Sequence, residues 1–183
     1  VWEGIILGFV QGLAEFLPIS SSGHLTILQN IFGIDGERIL SFAVLLHFGT
    51  LLSLIAVYYR EIGGLFVELV FCIRDILKGR GPRINHNETR RLGFMIIVAT
   101  IPTGLAGYFL NDLFSGLYQS LAAVGISLII TGTILWLIEK TKPGYKEVGQ
   151  MRFREAFLIG IFQSIALAPG ISRSGSTIVG SLQ

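Results

Sequence analysis

The sequence predicts an all-α polytopic membrane protein, built as an inverted-topology repeat whose two re-entrant helical hairpins meet near the bilayer midplane. Three observations lead there. The 183 residues are 51% hydrophobic and 14% charged, with a mean hydropathy of +0.68, whereas a soluble domain carries about 25% charged residues. Long uncharged stretches alternate with basic loops. The segment Gln11–His24, QGLAEFLPISSSGH, also returns 152 residues later as Gln163–Ser176, QSIALAPGISRSGS. Without a gap, Gly8/Gly160, Gln11/Gln163, Ala14/Ala166, Ile19/Ile171, Ser20/Ser172, Ser22/Ser174 and Gly23/Gly175 coincide, seven identities in twenty positions. The identities fall on polar and small residues more than on Leu and Val, which separates them from chance likeness between two apolar segments.

The elements follow in order. Val1–Leu17 has a helical pattern, with Gly4, Gly8 and Gly12 recurring every fourth residue. That small-residue face lets another helix approach closely. Gln11 and Glu15 are four apart and share a helix face. Pro18 ends the helix, and Ser20-Ser21-Ser22-Gly23 offers hydroxyl caps for a second one beginning near His24. The two short helices and their polar break make the first hairpin, residues 1–37. Such irregular backbone is tolerated at membrane depth only where protein buries it or it lines a wet cavity.

Spans are expected near 39–59, 92–110 (with a kink at Pro102) and 119–138, where Trp136 marks a boundary. Glu61–Leu77, interrupted by Glu68, Arg74 and Asp75, reads as an amphipathic helix lying at the interface. His47, inside the first span, reads as an interhelical hydrogen-bonding residue, because no partner lies nearby in sequence. The first repeat is residues 1–154, and 155–183 opens the second with its hairpin.

Ten of the fourteen Lys and Arg lie in the loops 78–91 and 139–154. Two intervening spans put both loops on one face, which the positive-inside rule makes cytoplasmic. The connector Asn111–Tyr118, with Asp112 and no base, falls outside. Three spans separate the hairpins, and three is odd, so the hairpins enter from opposite faces. Polar sites then sit where the broken helices meet. A crossing by Glu61–Leu77 would make the count four and remove the inversion.

Composition also excludes. A net charge of +2 is too small to argue for a nucleic-acid partner, and the single cysteine, Cys72, excludes an internal disulfide and disfavours a Cys-based metal site. No basic n-region or small-residue cleavage site marks a signal peptide. A start at Val1 without methionine and an end at Gln183 inside an apolar run predict a piece of a longer protein, lacking the C-terminal part of the second repeat.

The chemistry concentrates in the two hairpins. Gly170, Ser172, Arg173, Ser174, Gly175 and Thr177 combine freed backbone amides, hydroxyls and a guanidinium, a set suited to phosphate. Unpaired at membrane depth, an arginine costs on the order of several kcal/mol, so an anion or a carboxylate is expected against Arg173. A purely structural Arg173–Glu15 ion pair is the competing expectation. Glu15, backed by Gln11, can ligate a hard cation such as Mg²⁺ or Ca²⁺ with substrate phosphates completing the shell. Ser20, Ser21 and Ser22 are candidate nucleophiles. His24 lies within a turn of them, placed to take a proton or to attack phosphorus, unless it merely bonds a backbone carbonyl at the helix start. Together these groups point to phosphoryl transfer from a membrane-embedded substrate. An inverted-repeat transporter or flippase of a lipid phosphate would need the same anion clamp.

The pattern Gln11-x-x-x-Glu15, the run FLPISSSGH at Phe16–His24 and the run PGISRSGST at Pro169–Thr177 resemble the undecaprenyl-diphosphate phosphatase family, also called the bacitracin-resistance family. The resemblance implies a multi-pass enzyme of the bacterial inner membrane. Its polyprenyl diphosphate substrate would be undecaprenyl diphosphate, hydrolysed to phosphate and undecaprenyl phosphate for reuse as a cell-wall lipid carrier. It further implies divalent-cation dependence and an active site opening to the periplasm; a homodimer is left open. Carried over by motif, Glu15, Ser21, His24 and Arg173 form the catalytic core. Ser20, Ser22, Gly170, Ser172, Ser174, Gly175 and Thr177 surround the phosphates, and Glu15 with Gln11 would hold the metal. Between Ser21 and His24 as nucleophile, Ser21 is favoured, with Glu15 and His24 assisting.

Overall fold

The structure, a computed structural model, describes residues 2–34, 36–140 and 147–182; for residues 36–41 and 148 it describes the backbone alone. Lys142 and Lys146 of the second basic loop lie outside the described residues. Among these residues the chain is helical throughout: α1 (Trp2–Phe16), α2 (Ser21–Ile31), α3 (Gly36–Val57), α4 (Tyr59–Leu77), α5 (Glu88–Phe109), α6 (Asn111–Tyr118), α7 (Leu121–Ile138), α8 (Phe153–Ile165) and α9 (Arg173–Ser181). Two of them, α5 and α7, are long and apolar enough to cross a membrane, and only 11% of each apolar window is buried within the protein. Their outward faces carry Ile97, Ile101, Leu105, Ile126 and Ile129, a surface that only lipid or further protein can cover. The protein is a multi-pass membrane protein.

The span expected near 39–59 is different. Residues 42–57 of α3 are followed, after a break at Tyr58, by α4, which is bent away by 84°. Residues 59–77 therefore form a separate helix running across the direction of α3. Their charges have a defined use. Glu68 and Asp75 are two turns apart on one face of α4, and both grip Arg90: Nε reaches Glu68 Oε2 and Nη1 reaches Asp75 Oδ2, each at 2.9 Å. The expectation that Arg90 belongs to the polar basic loop 78–91 is corrected here. Helix α5 begins at Glu88, capped by the Asn87 side chain, which accepts from the Arg90 amide at 2.7 Å. Arg90 is then carried inward to 4% exposure. An arginine in an apolar contact is retained only with its charge matched, and α4 supplies the match.

The two basic segments do adjoin. Arg91 donates through Nη2 to the Met151 carbonyl at 2.5 Å and through Nη1 to Asn85, so both lie on one side of the bundle. Pro102 sits inside an uninterrupted α5. A Cβ on Gly160 would meet the Ala99 carbonyl and stand 2.6 Å from Pro102 Cγ. Helix α8 therefore seats on α5 backbone to backbone, and Thr103 donates to the Gly160 carbonyl at 3.2 Å. At the matching position of the first hairpin, α1 packs on α3 through side chains: Gly4 faces Phe42 and Gly8 faces Leu46.

Candidate active site

The two hairpin turns are built by one local rule. Ser20 caps α2, its Oγ accepting from Gly23 N at 3.4 Å and lying 3.3 Å from Ser22 Oγ. Ser172 caps α9 in the same way, accepting from Gly175 N at 3.1 Å and lying 3.2 Å from Ser174 Oγ. A cap three residues before a glycine amide satisfies an orphan donor of the new helix. The second helix of the first hairpin consequently begins at Ser21, ahead of His24. The turns differ in where the backbone strain sits. In the second, Gly170 takes φ +90°; in the first, Pro18 occupies that place and Ser20 itself adopts φ 68°. A left-handed serine is costly. The His24 ring, with Nδ1 2.8 Å from the Ser20 carbonyl, holds it there.

The turns touch. A Cβ on Gly23 would lie 2.8 Å from the Gly170 Cα. Helix α7 closes the contact from behind: Thr131 Oγ1 donates to the Gly170 carbonyl at 2.9 Å and accepts from the Ser172 amide at 3.2 Å. In front of the contact lies a polar cavity of about 340 Å³ lined by residues of both hairpins. Five pairs related by the 152-residue offset face it: Ala14/Ala166, Glu15/Leu167, Ser20/Ser172, Ser21/Arg173 and Ser22/Ser174. The scaffold is thus duplicated while the chemistry is not. Where the first hairpin presents a carboxylate and a hydroxyl, the second presents an apolar side chain and a guanidinium.

Within the cavity, Ser21 donates to Glu15 Oε2 at 2.5 Å and Gln11 Nε2 donates to the same oxygen at 3.1 Å. Arg173, first residue of α9, is exposed and lines the same cavity. No ion pair joins it to Glu15 or to any other carboxylate among the described residues. The structural Arg173–Glu15 pair is not formed, and the guanidinium stands open to an incoming anion. Thr177 also lines the cavity, while its hydroxyl is spent on the Arg173 and Ser174 carbonyls.

Other expected residues lie elsewhere. Gly170 and Gly175 are buried behind the cavity and allow the packing. His24 does not line it, and its Nδ1 is taken by the Ser20 carbonyl. Gln11 is 1% exposed and stands behind Glu15.

Three lining residues escaped the sequence reading. His47 on α3, read as an interhelical hydrogen-bonding residue with no named partner, has its Nε2 3.8 Å from Glu15 Oε2 of α1. Tyr118 arrives from the end of α6, and Gln163 from α8. Gln163 had a signal, being the echo of Gln11. Ser22, His47 and Tyr118 also border a second cavity of about 980 Å³ between α2, α3 and α6, so the polar site continues into a larger volume.

A divalent cation fits the donor chemistry in a limited way. Glu15 is the single carboxylate in the cavity, and among the described residues no group of three His, Cys, Asp or Glu could hold a metal. Ligand oxygens would have to complete the shell, as is usual for Mg²⁺.

Comparison with known proteins identifies the family. The family model described as bacitracin resistance protein BacA matches residues 4–183. The chain is 51% identical over 181 residues to an undecaprenyl-diphosphatase of Alkaliphilus metalliredigens, covering 99% of this chain and 66% of that protein. It is 43% identical to one of Desulforapulum autotrophicum, covering all of the chain and 66% of the relative, and 40% identical to one of Halothermothrix orenii, covering 63% of the relative. The chain therefore spans slightly less than two thirds of the length of these curated relatives. With both hairpin motifs inside the matched region, the chain belongs to the bacitracin resistance protein BacA family.

Proposed function

We propose that this chain carries the catalytic core of a membrane phosphatase that hydrolyses a polyprenyl diphosphate, undecaprenyl diphosphate by analogy with its relatives, to the monophosphate and inorganic phosphate. One observation carries the reading: a serine hydroxyl hydrogen-bonded to a carboxylate faces an unpaired arginine across one cavity. The arginine forks onto the phosphate oxygens. Ser21 Oγ attacks the terminal phosphorus as its proton passes to Glu15 Oε2. The bond from phosphorus to the bridging oxygen breaks, and the lipid monophosphate leaves with the electron pair. Water then attacks the phosphoserine, and the serine oxygen departs with the proton that Glu15 held.

A divalent cation at Glu15 would neutralise charge on the phosphate oxygens. In this reading His24 supports the strained Ser20 turn rather than attacking phosphorus. A transporter has no use for a hydroxyl hydrogen-bonded to a carboxylate.

The same reading includes the topology. Both basic segments face the cytoplasm, α5 and α7 return the chain to that side, and α4 lies along the membrane face. The hairpins are then halves of an inverted repeat. Tyr118, at the end of the connector opposite the basic segments, borders the cavity, which supports access from the periplasmic face of a bacterial inner membrane. Partners would be the lipid substrate and surrounding lipids; the oligomeric state is open to a homodimer.

The direct test is phosphate release from a C55 isoprenyl diphosphate by the purified, detergent-solubilised full-length protein, with and without chelator. Release that stops on chelation and returns with added Mg²⁺ is expected. Folded protein that releases none would reverse the conclusion in favour of transport.

A further inference from the structure

We propose that His47 is a ligand of the site's divalent cation, so that the ion sits between α1 and α3, on Glu15 and His47, rather than along the Gln11–Glu15 edge of α1. The inference deepens the phosphatase reading and rests on it only for the phosphate oxygens that complete the shell.

The tautomer is set by the backbone. His47 Nδ1 lies 2.8 Å from the Ala43 carbonyl, and a carbonyl can only accept, so Nδ1 carries the hydrogen. In its neutral form such a ring presents a lone pair at Nε2 toward the cavity. This is the usual outer bond of a metal-binding histidine: the second ring nitrogen donates to a carbonyl or carboxylate and fixes the orientation. Facing Nε2 at 3.8 Å is Glu15 Oε2. That separation is too long for a hydrogen bond, and with a neutral ring it sets two acceptors against each other. Two donor atoms each bound at roughly 2.0–2.2 Å to one ion stand about 3–3.5 Å apart. A small turn of the carboxylate would bring its other oxygen, Oε1, and His47 Nε2 onto a shared cation, while Oε2 stays with Ser21.

Gln11 is turned to a different task. Its Nε2 donates to Glu15, and its Oε1 is buried without a partner and away from the cavity. It orients the carboxylate and stays behind it. A nitrogen donor also changes the selectivity. Imidazole disfavours Ca²⁺, which takes oxygen shells, while the carboxylate and phosphate oxygens keep Mg²⁺ and Mn²⁺ in range.

Pulsed electron paramagnetic resonance on the purified protein with Mn²⁺ alone tests this without turnover, because a directly coordinated imidazole imprints ¹⁴N modulation on the Mn²⁺ echo. The modulation is expected in the unaltered protein and in His24→Gln and His86→Gln. It is expected to vanish in His47→Gln, with Mn²⁺ affinity lowered at least about tenfold. His47→Asp, which keeps an anionic ligand, should bind Mn²⁺ without the nitrogen signature. Absence of ¹⁴N modulation in the unaltered protein, or its survival in His47→Gln, would overturn the assignment and return His47 to an ion pair with Glu15. Phosphate release that continues while the modulation is absent removes the His47 ligand alone. Modulation without phosphate release keeps the ligand and removes the phosphatase reading.

Discussion

Gly23 and Gly170 meet backbone to backbone: a Cβ on Gly23 would stand 2.8 Å from the Gly170 Cα and 2.8 Å from Leu128 Cδ2. This contact between two turns 147 residues apart in sequence is what places Ser21 and Glu15 on one wall of the cavity and Arg173 on the other.

Gly23→Ala should therefore force the hairpins apart. Overpacking of a tight contact costs roughly 1–3 kcal/mol. Here the loss should show both as a lower unfolding midpoint in detergent and as reduced phosphate release. Gly12→Ala, where a Cβ meets nothing within 4 Å, is the control and should leave both unchanged.

Ser21→Ala should abolish turnover by at least about a thousandfold, as expected when a nucleophile is removed from a preformed site. Binding of the lipid diphosphate should survive, because the arginine and the second turn are untouched. Equal turnover in the variant would transfer the nucleophile's role to another group.

Arg173→Lys keeps the charge and removes the fork. With no carboxylate partner among the described residues, the guanidinium is free to bind anions. Its bidentate geometry is what a lysine cannot reproduce. Phosphate release should fall at least about tenfold, a hydrogen bond to a charged group being worth about 1.5–3 kcal/mol. Unfolding should be unaltered. Near-normal turnover would count against an arginine clamp.

Arg90→Gln tests the other polar cluster, which is remote from the cavity. The change leaves Glu68 and Asp75, which are 17% and 15% exposed, without their cation. Removing one partner of a buried pair costs about 3 kcal/mol. The expected signature is a lowered unfolding midpoint with catalysis per folded molecule preserved. The pair of readouts separates the α4–α5 clamp from the active site.

Much of this was legible in the residue order because it is local chemistry. A serine three residues ahead of a glycine amide caps a helix wherever it occurs, so the two hairpins and their likeness could be read directly. Low charge and long apolar runs point to a membrane, and a carboxylate and hydroxyl in one turn with a guanidinium in its echo point to an anion site. Other features depend on which helices pack. His47 has no partner until α3 lies against the glycine face of α1. Arg90 looks solvated until α4 is folded back at 84° to bring Glu68 and Asp75 to it. That the His24 ring nitrogen Nδ1 lies against the carbonyl of a left-handed Ser20 shows only in the fold. The sequence by itself determined the duplicated scaffold and its unequal chemistry. The tertiary structure decided which polar groups face one another, because a side chain's partner is set by packing distance rather than by separation along the chain.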